Sequence, residues 1–175
     1  ACAAAGVPLG PDDVVVVASK VVAKAEGRSV PADQRERALD AESVRLVAER
    51  GLPDGRTTRV VQSRSGPVLA AAGIDASDVA EGTVLLLPAD PDASARALRS
   101  RIASLLGVDE HGGRAPAVVV SDTSGRPWRD GVTDFALGAA GLEVLDDARG
   151  RLDRSGRVME VPVRGVADEV CGLAD

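Results

Sequence analysis

Two short runs of β-branched residues dominate the hydrophobic pattern of this chain. Asp13–Ser19 (DVVVVAS) and Ala115–Val120 (APAVVV) are brief, continuously apolar at their centres and bounded by polar turn formers. Both therefore read as buried strands. Thr57–Ser63 (TTRVVQS) and Thr83–Leu87 (TVLLL) predict two more. Ala32–Arg50 carries Leu39, Val44 and Val47 among charges and meets Gly51, the pattern of an amphipathic helix with a glycine stop. Asp90-Pro91-Asp92 opens another helix with an acidic N-cap and proline in its first turn. Leu98, Ile102, Leu105 and Leu106 supply its apolar stripe, and Gly107 ends it. Val158–Val163 (VMEVPV) alternates like an edge strand, with Pro162 keeping it from a sheet centre. Asp168–Leu173 begins a last helix. The irregular alternation of strands and helices leaves α/β and α+β both open.

Composition sharpens this picture in one respect. Hydrophobic residues make up 45% of the 175, yet there is one Phe, one Trp and no Tyr. The core must be built from Val, Leu, Ala and Ile, and a surface that stacks nucleic-acid bases is disfavoured. The length suits one domain with a real core. A net charge of −6 opposes phosphate polyanions overall, so any nucleotide must be captured locally, together with metal ions. Cys2 and Cys171 form no framework, which predicts a reduced, cytoplasmic protein. His111 sits in a polar loop, Asp109–Gly113, with no partner for metal binding, and reads as a surface residue. No apolar run reaches membrane-spanning length, and the N-terminal segment lacks the basic region of a signal peptide. A cytoplasmic location without membrane or nucleic-acid partners is expected.

The chemistry gathers after the two valine runs. Ser121-Asp122-Thr123-Ser124-Gly125-Arg126-Pro127-Trp128-Arg129-Asp130-Gly131 follows the second run and reads as a loop at the carboxyl end of a strand, where α/β proteins place ligands. Asp122 there can hold a metal, and Arg126 and Arg129 can hold phosphate. A capped turn with solvated charges is the competing reading. The only two lysines among 21 basic residues, Lys20 and Lys24, follow the first run. Lysine meets phosphate as a compact point charge. Neither a GxxxxGK[ST] nor a GxGxxG motif is present, so common NTPase and dinucleotide folds are disfavoured. Asp168 and Glu169 enter the last helix, where acids commonly complement the helix dipole. If that end faces Asp122, three carboxylates converge and require divalent cations. With Lys24, such a site suits metal-assisted phosphoryl transfer.

These segments, taken in order, resemble the coenzyme F-420 γ-glutamyl ligase family. The matching stretches are Ser19–Arg28, Ala71–Ser77, Leu87–Ala95, Ser121–Arg129, Gly138–Leu142 and Val166–Glu169, spread over nearly the whole chain. The resemblance implies an α/β fold peculiar to the family, with a central sheet flanked by helices, and an intertwined homodimer. It implies a GTP-dependent ligase that adds L-glutamate to a deazaflavin precursor, with Mn²⁺ or Mg²⁺ and K⁺ as a further candidate cation. Carried over by position, Ser19, Lys24 and Gly125 would contact GTP. Asp122, Asp168 and Glu169 would hold metal, and Arg126 and Arg129 would contact phosphate or substrate. Ala23 stands where the family usually has Ser, and Asp78 where it has Asn. Residues 1–175 are expected to form one ligase domain without the family's first and last strands. A non-catalytic, nucleotide-binding relative is the alternative function.

Overall fold

The computed structural model describes residues 6, 8–52, 54–109 and 114–174. In chain order the elements are β1 (Val14–Ala18), α1 (Ser19–Ala25), β2 (Ser29–Pro31), α2 (Arg35–Glu42), β3 (Ser43–Gly51), β4 (Thr57–Ser63), β5 (Val68–Ala70), β6 (Thr83–Leu85), α3 (Pro91–Leu106), β7 (Ala117–Arg126), β8 (Arg129–Ala140), β9 (Leu145–Asp147), β10 (Val163–Gly165) and α4 (Val166–Ala174). His111 and Cys2 lie outside the described residues. The fold is mixed α/β, as expected.

Both valine runs form strands, and they lie side by side. β1 runs parallel to β7, Val14 opposite Ala117 through Ala18 opposite Ser121, and β8 pairs antiparallel on the other edge of β7. Val118 and Val120 project to one face, as the strand's period of two requires. There they meet Val22 of α1 and Ala95 of α3, with Val15, Val17, Leu98 and Ile102 around them. This is the aliphatic core that the lack of aromatics demanded. α3 matches its sequence signals closely. The Asp90 side chain accepts from the Ala93 N–H at 2.9 Å, Pro91 occupies the first turn, and Gly107 closes the helix in the left-handed region at φ 67°. Its stripe is narrower than predicted, because Leu105 and Leu106 are exposed while Ala95 and Ala103 are buried.

Three expectations need correction. Ala32–Arg50 is not one helix: a 3₁₀ turn at Ala32–Gln34 leads into α2, and β3 follows at once. The Ser43 hydroxyl donates to the Leu39 carbonyl at 2.6 Å, and Ser43 itself turns to extended backbone, φ −95° and ψ 134°. The second half then finds better partners across a sheet, pairing with β4 from Ser43 opposite Ser63 to Gly51 opposite Thr57. Only Leu39 of the predicted apolar face is buried, against Val61, Ala71 and Ala72. Val44, Leu46 and Val47 stay exposed.

The supposed loop after Val120 is the second correction. β7 continues to Arg126, and a two-residue turn, Pro127-Trp128, returns the chain as β8. Asp122 faces Phe135 and Thr123 faces Asp134 across this hairpin, where the Thr123 hydroxyl donates to the Asp134 carboxylate. Cross-strand pairing thus extends a segment whose composition alone suggested a turn.

The third concerns Val158–Val163. Val158 makes only an isolated bridge with Leu152, and the strand proper is β10, paired with β9. Pro162, lacking an N–H, marks the last residue before it. α4 extends the predicted Asp168–Leu173 by two residues at its start, and it buries Cys171 completely. Burial, with Asp168 and Asp134 nearby, pushes the Cys171 thiol up to about 11. Alkylation of Cys171 at mildly alkaline pH is therefore expected only after unfolding. Peptide-resolved mass spectrometry checks this, and rapid labelling of the native protein would refute it.

Candidate functional site

The parallel register of β1 and β7 determines the site. Ala18 pairs with Ser121, so the residues that follow, Ser19 where β1 ends and Asp122 within β7, lie side by side at the same level. The Ser19 hydroxyl donates to Asp122 Oδ1 at 2.9 Å. Ser19 is buried and Asp122 half-buried. Burial is the main influence on the Asp122 carboxyl and holds it above its ordinary range, although the Ser19 hydroxyl and the Thr123 N–H favour its charge. A carboxylate in that state lacks full compensation, which suits it to meeting a cation.

Lys20 and Asp75 complete this narrow cleft, which Ala23, Gly73 and Leu85–Leu87 wall with aliphatic or backbone surface. Lys20 Nζ lies 2.7 Å from Asp75 Oδ2 and 3.8 Å from Asp78 Oδ2, and it also donates to the Ser77 hydroxyl. The hydrogen bond to Asp75 is the main reason the Lys20 ammonium is held above its ordinary range. Burial works against the Asp75 charge, but Lys20 and the Ser77 N–H and hydroxyl outweigh it and lower the carboxyl to about 2. Asp75 is fixed further by reciprocal backbone bonds with Leu85, at 3.0 and 2.8 Å.

The lowered Asp75 carboxyl has a definite pH signature. Its charged form is favoured by folding, so its stabilising contribution is present above the ordinary value of 3.8 and fades as pH falls towards about 2. Acid titration of thermal stability is expected to show the wild type exceeding Asp75→Asn at pH values above that window. The two should converge at its acid end. A gap that persists unchanged through the window would remove the Lys20–Asp75 pair from this role.

The other predicted residues lie elsewhere. Lys24 is exposed on α1 and does not line the cleft, so of the two lysines it is Lys20 that faces Asp122. Gly125, Arg126, Asp168 and Glu169 line a second cavity of about 550 Å³ with Trp128, Phe135 and Asp134. Asp168 Oδ1 accepts from the Ala136 N–H at 2.9 Å, fastening α4 to β8. Arg129 is exposed at the start of β8 and lines neither cavity. The structure therefore brings Ser19 together with Asp122, and Gly125 with Asp168 and Glu169, but does not unite the three carboxylates.

Among the described residues, no group of three or more His, Cys, Asp or Glu side chains is placed to hold a metal ion. Among the described residues, Asp122, Asp168 and Glu169 do not gather into one such group. A magnesium-like ion held by one or two carboxylates, with phosphate oxygens and water filling the remaining positions, asks less of the protein. The half-buried, undercompensated Asp122 fits that arrangement. Lys20 and Asp75 were within reach of sequence reasoning: Lys20 directly follows Ser19, and Asp75-Ala76-Ser77 has the spacing of an Asx turn.

Comparison with known proteins now bears on this cleft. The model of the family described as F420-0:Gamma-glutamyl ligase matches residues 1–175. The chain belongs to that family. Three relatives named coenzyme F420:L-glutamate ligase support the assignment. The Archaeoglobus fulgidus protein is 41% identical over 177 residues, 93% of this chain and 68% of the relative. The Haloarcula marismortui protein is 38% identical over 183 residues, 94% and 69% respectively. The Methanopyrus kandleri protein is 37% identical over 180 residues, 93% and 68%. As a member of a ligase family, the chain has its cleft at the junction of Ser19–Arg28, Ala71–Ser77 and Ser121–Arg129, three of the segments that carried the resemblance. Among its described residues, no helix is long and apolar enough to cross a membrane.

Proposed function

We propose that this chain adds L-glutamate to the deazaflavin precursor of coenzyme F420, consuming GTP and requiring Mn²⁺ or Mg²⁺. The observation that supports it best is Asp122, half-buried on β7 and hydrogen-bonded to Ser19 beside Lys20, where the parallel strand β1 ends. A carboxylate does not acylate an amine at neutral pH without activation. The γ-phosphoryl group of GTP passes to the precursor's carboxylate oxygen, giving GDP and an acyl phosphate. The α-amine of glutamate attacks the acyl carbon, phosphate leaves with the C–O bond pair, the amine gives up its proton, and an amide remains. A divalent cation at Asp122 supplies neutralisation of phosphate charge. Ser19, with Gly125 and Lys24 from the surrounding surface, makes the GTP contacts in this reading, and Arg126 and Arg129 meet phosphate or substrate. The same reading makes residues 1–175 a ligase domain of a cytoplasmic homodimer.

Incubation of the full chain with GTP, Mn²⁺, glutamate and the precursor is expected to yield GDP and a product heavier by one glutamyl residue. GTP hydrolysis without that mass gain would reject ligation. Saturable GTP binding without any turnover would favour a non-catalytic member instead.

A further inference from the structure

The chain has one tryptophan and one phenylalanine, and both line the same cavity. A protein that builds its core without aromatics has no packing need to place them there. Phe135 sits on β8 directly opposite Asp122 and is half-buried, whereas Trp128 stands 81% exposed in the turn between β7 and β8. Val68 and Leu69 of β5 form an aliphatic wall to the same cavity. Its volume, about 550 Å³, falls within the range of small-molecule sites. Arg126 also lines the cavity, and its Nε is buried without a hydrogen-bond partner. Asp134, Asp168 and Glu169 line the cavity beside Arg126, so its flat apolar surface and not its charge selects the ligand, and that surface suits a planar ring.

We infer that this cavity seats the fused aromatic ring of the ligase's acceptor substrate, with Trp128 stacking on the ring. This rests on the proposed ligase reading and deepens it. Asp122 and Phe135 are register partners on β7 and β8, so their side chains share one face of the hairpin and the cavity adjoins the cleft.

Trp128 is the only tryptophan, so its emission reports the cavity without turnover. Titration of the full chain with the deazaflavin precursor, in the absence of GTP and metal, is expected to quench that emission saturably. Trp128→Ala, an exposed turn substitution that leaves the core intact, is expected to raise the precursor's KM roughly tenfold, leaving the KM for GTP and glutamate unchanged. Trp128→Phe should recover most of the loss, which a merely structural role would not predict. Several outcomes would overturn the inference. One is an unchanged precursor KM in an active Trp128→Ala enzyme. Another is quenching by GTP but not by the precursor, which would assign the cavity to the nucleotide base. A third is Trp128 emission that neither iodide nor the precursor can quench, which would mean a second copy of the chain covers it. A protein that binds the precursor through Trp128 yet never ligates would refute the ligase reading alone.

Discussion

Asp122→Asn is expected to lower ligase turnover on the order of a hundredfold while leaving the fold intact. Asparagine keeps the side chain's size, and its oxygen still accepts the Ser19 hydroxyl that now lies 2.9 Å from Oδ1. Only the anionic charge is lost, and with it the group placed to meet a cation. Thermal stability supplies an independent readout. Burial raises the Asp122 carboxyl above its ordinary value of 3.8, so folding favours the protonated form. The stability this contributes is present below the ordinary value and is lost as pH rises through the raised one. At neutral pH the wild type therefore carries a burdened charge that asparagine lacks. Without metal, Asp122→Asn should melt at or above the wild type, with the advantage disappearing in acid. If Asp122 only caps the chain after Val120, turnover would stay near normal at low Mn²⁺, and that result would remove it from the site.

How far the site was legible follows from what each residue depends on. Asp122 stood out because a β-branched run followed by a carboxylate is a local pattern, and α3 was readable to its ends because its cap, proline and terminal glycine are local too. β3 was not legible. Ser43–Gly51 places charges at spacings that serve a helix or a strand equally, and only β4, further along the chain, decides between them. The same holds for the hairpin: Thr123 and Gly125 read as turn residues until β8 supplies Asp134 and Val132 opposite them. Lys20 and Lys24 are four residues apart and indistinguishable by type. Which of them enters the cleft depends on Asp75, which reaches Lys20 through the β6 neighbourhood and has no sequence proximity to it. That Asp122 lines the cleft while Asp168 and Glu169 line the second cavity is likewise tertiary, because α4 reaches β8 only in the fold, where Asp168 accepts from the Ala136 N–H. Residue types were visible, and their grouping was not.

Gly138 shows the opposite case, a sequence feature whose reason is visible only in the packing. It lies within the Gly138–Leu142 segment that resembles the ligase family, yet it touches no candidate ligand residue. A Cβ at this position would lie 2.3 Å from the Pro91 carbonyl carbon, and 2.5 Å from both the Asp92 nitrogen and the Pro91 oxygen. All three are backbone atoms, so no rotamer change relieves the clash, and the first turn of α3 would have to move off β8. That movement breaks the bond from the Ala139 N–H to Asp92 Oδ1, now 2.9 Å, and loosens Leu98 and Ile102 from the valine core. Gly138→Ala is expected to cost about 3 kcal/mol, the upper end for overpacking. For a domain of this size that corresponds to a fall in Tm of roughly 10 °C. Gly125→Ala is the matched control, since its Cβ would meet nothing within 4 Å. It should change stability by less than about 0.5 kcal/mol. Thermal denaturation followed by circular dichroism reads both variants. Equal melting of the two would mean that α3 docks on β8 more loosely than the Gly138 contact requires.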